Sequence, residues 1–479
     1  MRQSTILDYN AKDRAVEWCI DIYFNGPGAA PLQCTRNDYL VDCSLLDEAC
    51  ADSESFIGTP SSNEVSFQLF GSRGMFSPTD TTSPYYGKIK AGVMVKVYCR
   101  PIAVSSQIVT NDATHDSLTG YTHNVLSKYT HTEITKLRDS SDDYIWDALG
   151  TFYVTEWLSD LTGVTADVTA CDALYTLFNS AQSIINVTPN YSYEELITDF
   201  FGLNGYTPII TGDLSERLLF AYINGDNSTF INDFSIGALA YIYCNHDGSI
   251  VVFDIDTHEG SSYTITDNDQ VISVTSKQSA MLEHSGVRLE YSKMQVSNEQ
   301  LVLSNKAEGI ASNGVLALSA QRLQHPPVYA ISHVVLDSAA NCFVGNLEAN
   351  PYYISYDILN ASGLDASVNV NIYGFTIESV LTTISDDTSN DLKLSSTYIQ
   401  NEEYAKHISD LLHKYITLPV PILELEIRGN PLFAIGDTIH VISNMYNIDF
   451  TGILIRQNFT YNGGMSATMS ILSTEIVGA

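Results

Sequence analysis

The segment Asn63 to Cys99, NEVSFQLFGSRGMFSPTDTTSPYYGKIKAGVMVKVYC, constrains the fold of this 479-residue chain more than any other stretch. Val65, Phe67 and Leu69 alternate with polar residues, and Val93, Val95 and Val97 do the same further on. Successive side chains of a strand point to opposite faces, so each run predicts a strand with one buried face. Between them, Ser77-Pro78 and Ser83-Pro84 favour extended backbone, while Gly71, Gly74 and Gly87 permit close approach of neighbouring chain. The segment therefore reads as two strands joined by a long punctuated loop, and it carries no catalytic chemistry.

The length exceeds what one hydrophobic core supports, so three or four packed units are expected. Hydrophobic residues make up 44%, and the abundance of Tyr, Thr, Val and Ile favours strands over helices. Against 23 basic residues stand 56 acidic ones, a net charge of −33. Such a surface repels phosphate, which excludes ordinary nucleic-acid recognition by Lys and Arg. The charge serves either solubility alone or a channel wall past which a polyanion must slide. Cys19, Cys34, Cys43, Cys50, Cys99, Cys171, Cys244 and Cys342 form no CxxC pair and no zinc spacing with His. They read as small buried hydrophobes, and a local disulfide among the first four has only proximity in its favour. Met1-Arg2-Gln3-Ser4 opens no secretory signal and no apolar run reaches membrane-spanning length, so a soluble protein without a membrane span is expected. Without secretion, the sequons at Asn186, Asn227 and Asn458 carry no meaning.

Along the chain, VEWCIDIYF from Val16 to Phe24 predicts a strand ended by Gly26-Pro27-Gly28. Ser44 to Ala51 suggests a helical turn or two. The polar stretch Thr110 to Thr132 is either a loop excursion or a hairpin tip. From Leu149 to Leu177 the pattern is strand, a turn at Gly163, strand, then a short helix starting near Asp172. Ser192 followed by Glu194-Glu195 and by Leu196, Ile197 and Phe200 predicts a capped helix. Ala238 to Ile255 holds two apolar strands around His246-Asp247-Gly248. Short strands dominate from Val271 to Val370, among them Gly286 to Tyr291 and Pro327 to Leu336. Tyr404, Ile408, Leu411, Leu412 and Tyr415 form the apolar stripe of a helix within Ile399 to Leu418. Gly463-Gly464 marks the hairpin between the last two strands.

Gly74, Phe76, Ser77, Pro78, Ser83, Pro84, Tyr85, Tyr86, Gly87, Lys88 and Gly92 match a "DGRFSP … SPYYGKI … G.PVRV" pattern, and on it the chain resembles the tail hub and minor tail proteins of tailed bacteriophages. A second element, "GTFYV.EW … V.A.D.L..L", is kept at Gly150 to Val154, Glu156, Trp157, Ala170, Asp172 and Leu174. The hairpin at Asp247-Gly248 is similar to another. A closing element, "G.P.L.pGD.I.V", is matched by Gly429, Pro431, Leu432, Gly436, Asp437, Ile439 and Val441, followed by Gly452, Tyr461, Gly463, Gly464 and Thr468. The resemblance runs from about residue 15 to the end of the chain.

It implies a mainly β fold with an α+β insertion, like a phage baseplate hub: two tube-type β-barrel or sandwich domains plus peripheral domains. The expected divisions are 1–165, an N-terminal tube-like β domain; 166–275, an α+β middle domain; 276–395, a mainly β middle domain; and 396–479, a helix with the C-terminal tube-like β domain. The implied function is structural. A homotrimer would form a ring that adapts the tail tube to a central spike or fibre and lines the DNA ejection channel, within the tail tip of a virion assembled in the host cytoplasm. Implied partners are further copies of itself, the distal tail or tail tube protein, the tape measure protein and the spike or fibre, with genomic DNA in transit and not specifically bound. Phe76, Pro78, Pro84, Tyr85 and Tyr86 become the candidate intersubunit loop, a rigid protrusion. The alternative is an adhesin that grips host glycan through exposed aromatics among its 29 tyrosines.

Enzymatic readings find little support. No HExxH, GxSxG or phosphate-binding glycine loop is present, and no catalytic, cofactor-binding or metal residue is assigned. Asp254, Asp256, His258 and Glu259 sit close enough to suggest a cation site, but a solvated strand end is the simpler expectation. Asp267-Asn268-Asp269 lacks the Gly and closing Glu of a calcium loop. His115, His123 and His131 recur at a spacing no zinc site uses, so surface imidazoles are expected. Glu194 and Glu195 are adjacent on a helix and not opposed across a substrate, which suits dipole partners and not a glycosidase. Tyr153 and Trp157, on one alternating strand, are expected in the core.

Overall fold

In a computed structural model, residues 3, 4, 9, 15–50, 57–102, 145–160, 162–223, 225–267, 271–277, 284–338, 341–386, 390–418 and 421–474 are described. Thr110 to Thr132, with His115, His123 and His131, lies outside them, as do Asn268 and Asp269. The architecture is mainly β, with several sheets and few helices.

A 13-stranded sheet dominates. Its path runs Val271–Lys277, Ile422–Ile427, Met465–Ser473, Ile448–Tyr461, Leu40–Glu48, Glu64–Phe70, Thr165–Cys171, Asp147–Ser159, Met94–Ile102, Ala15–Tyr23 and Leu32–Thr35. Thr438–Ser443 branches from Ile448–Tyr461, and Ser262–Thr266 runs parallel to that branch. Both ends of the chain thus share one sheet, joined where Tyr461 opposes Cys43 and Arg456 opposes Glu48. The alternation read from sequence is real: Trp18, Ile20 and Ile22, Val65, Phe67 and Leu69, and Val95 and Val97 all bury on the core side. Each such side chain contributes about 1.5–3 kcal/mol on burial.

Ser44 to Cys50, the described part of the predicted helical turn Ser44 to Ala51, is not helical; Leu40–Glu48 is a strand in the middle of this sheet. Cys43 and Leu45 alternate into the core, and pairing on both edges outweighs any local preference for a turn.

Inserted between the sheet's strands is a helical unit. Asp172 caps the helix Ala173–Phe178, and Ser192 and Glu195 form a capping box on Tyr193–Leu203. A third helix, Asn227–Ala238, capped by Asp226, precedes the hairpin Ala240–Cys244 and Ile250–Asp254, which Ile209–Thr211 joins in parallel. Leu196, Ile197, Phe200, Phe230 and Phe234 fill this unit's core.

Beyond it, Gly286–Val296, Gln300–Ile310, Val328–Asp337, Ala366–Ser385 and Asp391–Ser396 form a five-stranded sheet. Part of this sheet faces the three-stranded sheet Val315–Arg322, Tyr353–Asn360 and Cys342–Ala349 across a core of Val302, Ile354, Tyr356, Val368 and Ile372. The helix Glu402–Ile416 then returns the chain to the large sheet. Ala405, Ile408, Leu412 and Tyr415 face inward, Glu402 and Glu403 occupy the first turn, and His413 and Lys414 the last, as the helix dipole favours.

Candidate assembly surface

The loop after Glu64–Phe70 is fastened at both ends to the strand Asp147–Ser159 and the turn that follows it. Gly71 N–H donates to Val164 O (2.8 Å), Gly74 N–H to Thr162 O (2.8 Å) and Phe76 N–H to Gly163 O (3.1 Å). Gly163 has φ +61°, and a Cβ there would lie 2.8 Å from Ser77 Cβ, so the approach needs glycine. At the far end Gly92 N–H donates to Val154 O (2.7 Å). Within the loop, Ser83 Oγ donates to Met75 O, and the Asp80 carboxylate accepts from Thr82 N–H and Oγ1–H. These hydrogen bonds hold the Asp80 carboxyl below its usual pKa.

Aromatic rings close the loop from inside. Tyr85 stacks on Phe24 at 4.4 Å, Phe76 lies 5.9 Å from Tyr39 edge-on, and Trp157 leans on Phe24 and Phe76 while its Nε1–H donates to Phe76 O at 3.1 Å. Phe76 is fully buried, which withdraws it from contact with any second chain. Tyr85 and Pro78 are half-buried, while Pro84 and Tyr86 stand exposed, Tyr86 to 51%. The five residues grouped by sequence therefore divide into an internal anchor and an outward tip.

Tyr153 is exposed, contrary to the core position expected for it. A register shift between Val154 and Glu156 breaks the alternation of Asp147–Ser159. Phe152 and Val154 bury before the bulge and Trp157 turns inward after it, so Tyr153 and Trp157 do not share a face.

A buried polar clasp ties the insertion to the large sheet. His246, in the hairpin turn, sits with Nε2 2.8 Å from Asp47 Oδ2, and Gln457 Nε2 donates to the same oxygen at 3.2 Å and to Phe433 O at 3.0 Å. Tyr243 Oη donates to Ile435 O. Burial of His246 opposes its charged form, but the Asp47 carboxylate, its hydrogen bond, and Asp437 and Asp247 nearby outweigh that and raise the imidazole pKa. Burial pushes the Asp437 carboxyl up to about 6. Sequence reasoning missed this clasp because its members stand up to 410 residues apart and none belongs to a motif by type.

Asp254 proves to be neither a solvated strand end nor a ligand in a cation cluster. It is buried, and its carboxylate accepts from Asp256 N–H, Thr257 N–H and Thr257 Oγ1–H. His258 Nε2 donates to Gly436 O at 3.0 Å and Nδ1 lies 3.1 Å from Thr211 Oγ1, a bridge in which burial lowers the imidazole pKa. Among the described residues no group of three or more His, Cys, Asp or Glu side chains is arranged to hold a metal ion. None of the eight cysteines forms a disulfide, and seven are buried; burial pushes the Cys19 thiol up to about 12 and that of Cys171 to about 11. Glu195 serves its helix cap, its carboxylate accepting from Ser192 N–H at 2.8 Å. Among the described residues no helix is long and apolar enough to cross a membrane.

The face of the large sheet turned away from its core is polar. Glu424, Glu426, Arg456, Asn458, Thr468 and Ser470 line a shallow trough of about 270 Å³. Two of its cations are paired with acids, Arg456 with Glu48 at 3.2 Å and Arg100 with Glu17 at 2.9 Å, while Lys96, on the same face as Arg100, lies over the Tyr23 ring at 5.9 Å.

Among solved structures, the chain is similar to the 43 kDa tail protein of prophage MuSo2 from Shewanella oneidensis, with a TM-score of 0.50 at 10% identity over 95% of this chain and 98% of that one. It has the fold of a phage tail protein. A tail protein from Neisseria meningitidis MC58 aligns at 8% identity and TM-score 0.47, over 96% of this chain and 98% of that one. Prophage tail protein gp18 from Listeria monocytogenes EGD-e aligns at 11% and 0.42, over 96% of each. No family model matches the chain, and no curated protein does. The tail-protein fold explains why the motifs near Phe76, Trp157 and Gly463 fall on one object: all lie on the large sheet or the loops that close it.

Proposed function

We propose that this chain is a structural protein of a phage tail tip, a hub whose large sheet forms one segment of a ring around the ejection channel. The observation that carries the reading is the single sheet built from both ends of the chain, with the helical unit and the sandwich inserted between its strands. Such a body suits a wall segment carrying peripheral domains. The divisions 1–165, 166–275, 276–395 and 396–479 belong to this proposal, the first and last supplying the ring. Three copies close it, with Pro84 and Tyr86 at the tip of the fastened loop meeting the neighbouring subunit. The tail tube or distal tail protein and the tape measure protein engage one side, and a spike or fibre the other.

The uncovered face of the large sheet then looks into the channel. Glu64, Asp167, Glu424 and Glu426 stand there among Ser66, Thr169, Thr468 and Ser470, while Arg100 and Arg456 are neutralised by acids and Lys96 lies over the Tyr23 ring. DNA phosphates meet hydroxyls and like charge and pass without adhering. The chain is read as non-enzymatic. Cryo-electron microscopy of the tail tip tests this: three copies around the channel, with Glu424 and Asp167 facing the lumen, are expected. A position in a side fibre, or a lumen lined by unpaired Lys or Arg, overturns it.

A further inference from the structure

The sandwich carries two outer faces of different character. On the five-stranded sheet, Ser304 Oγ donates to Asn371 Oδ1 at 2.8 Å, and the His333 ring stacks on Tyr373 at 4.8 Å with Glu299 beside it. Polar groups there satisfy one another, and the exposed Val335 opposite Asn371 stands among them and not in an apolar row. On the three-stranded sheet, Val315 opposes Leu359 and Leu359 opposes Phe343 in direct register, so the three side chains form one continuous row across all its strands. They are exposed to 62%, 38% and 53%. A Cβ on Gly345 would lie 2.8 Å from Leu359 Cδ1, so Leu359 spreads along the strand and widens the row.

At the same end of the sheet, Leu364 is 78% exposed on a turn that is held rigidly. Asn360 Nδ2 donates to Ile310 O, Ala311 O and Leu364 O, Ser362 Oγ donates to Leu364 O, and Ser312 N–H donates to Asp365 Oδ1. Single exposed hydrophobic residues are ordinary, but a row registered across three strands is a contiguous apolar patch with its shape already set. A preorganised patch loses little entropy when covered.

We infer that this row is a docking surface for a different protein of the tail, one presenting an apolar surface with basic side chains beside it. Charge selects the occupant. Asp357 is the next residue on the row's face of its strand, Glu348 opposes Ser355 further along that face, Asp365 follows Leu364 on the turn, and Arg322, the base on these three strands, stands at the far end beside Tyr353. A second copy of the chain would bring the same acids face to face and is repelled, and anionic lipid headgroups are repelled likewise. A partner with Lys or Arg around an apolar contact complements both features.

The inference rests on the tail-protein reading, and one preparation separates the two. Virions carrying a photoreactive benzophenone amino acid at position 343 are purified, and mass spectrometry first asks whether the chain is in the particle; its absence sinks the tail reading itself. With the chain present, illumination is expected to join position 343 to a different virion protein at a peptide containing Lys or Arg. A cross-link to a second copy, or none where a probe at Tyr86 does cross-link, overturns the docking inference alone. In parallel, Phe343→Glu with Leu359→Glu is expected to leave the melting temperature of the isolated protein unchanged, because the row is exposed. The same pair should lower infective titre by about tenfold or more, the effect of losing one central contact residue. Unchanged titre and particle composition overturn the proposal.

Discussion

At the scale of single residues, His246 meets Asp47 at 2.8 Å across 199 positions, a contact whose contribution to stability depends on pH. The folded pKa of His246 is raised, so the stability it contributes is complete below the unfolded imidazole value of about 6.5 and is lost as pH rises through the folded value. Buried carboxyls with raised pKa act in the same sense. Asp437, pushed to about 6, and Asp172, pushed to about 7, favour the folded state below the unfolded carboxyl value of about 3.9 and lose that advantage as pH rises through their folded values. His258, whose pKa burial lowers, acts in the opposite sense, but only up to the unfolded imidazole value of about 6.5. The melting temperature is therefore expected to fall as pH rises from about 6.5 to about 8; a profile that rises across this window contradicts the assignment. His246→Ala leaves the Asp47 carboxylate buried, with Gln457 Nε2 still donating to it. The expected loss is about 3 kcal/mol, the low end for a broken buried pair because the imidazole keeps 16% of its surface exposed. Urea denaturation of the variant at pH values below and above the window measures it, and the difference from the parent should shrink at the upper end.

At the scale of elements, legibility in the sequence followed how local the cause was. Tyr193–Leu203 was readable because Ser192 and Glu195 satisfy each other within one turn. Ser192→Ala should cost about 1 kcal/mol in denaturant titration, and no loss would show the cap to be redundant. Glu402–Ile416 was readable from its apolar stripe alone. The helix Asn227–Ala238 was not: NSTFINDFSIGA is rich in β-branched, aromatic and amide residues, and burial of Phe230, Ile231 and Phe234 holds it helical. A strand through Val41 was legible, but its continuation from Ser44 to Glu48 was misread as a helical turn because its partners, Ile448–Tyr461 above all, lie outside any local window. The bulge in Asp147–Ser159 shows the same limit within one strand, since alternation predicts a side chain's face only while the register holds. Trp157 turns inward because of that bulge and seals the loop bearing Pro84 and Tyr86. Trp157→Ala should therefore speed amide hydrogen exchange across residues 71–92 while leaving Glu402–Ile416 protected. Equal acceleration in both segments would mean that the ring unfolds the whole chain and does not anchor the loop.

At the scale of the whole molecule, the large sheet is closed by strands from opposite ends of the sequence, so neither end completes a core without the other. Glu48 opposes Arg456 and Cys43 opposes Tyr461, and between those strands lie the helical unit and the sandwich. The motifs predicted from sequence that both ends belong to one assembly, but only the register shows that they share a sheet. Ending the chain after Leu418 removes the strands from Ile422–Ile427 to Met465–Ser473 and leaves one edge of Leu40–Glu48 open in the middle of the former sheet. An open edge with Cys43 and Leu45 uncovered is a template for intermolecular pairing. The truncated chain is accordingly expected to aggregate, whereas adding residues 419–479 as a separate polypeptide during synthesis should restore solubility by supplying the missing partner strands in trans. Sedimentation of the two expressions side by side measures this. A soluble, cooperatively melting truncation would mean that the amino-terminal strands close on themselves, and the sheet would then be two abutting domains and not one cooperative body.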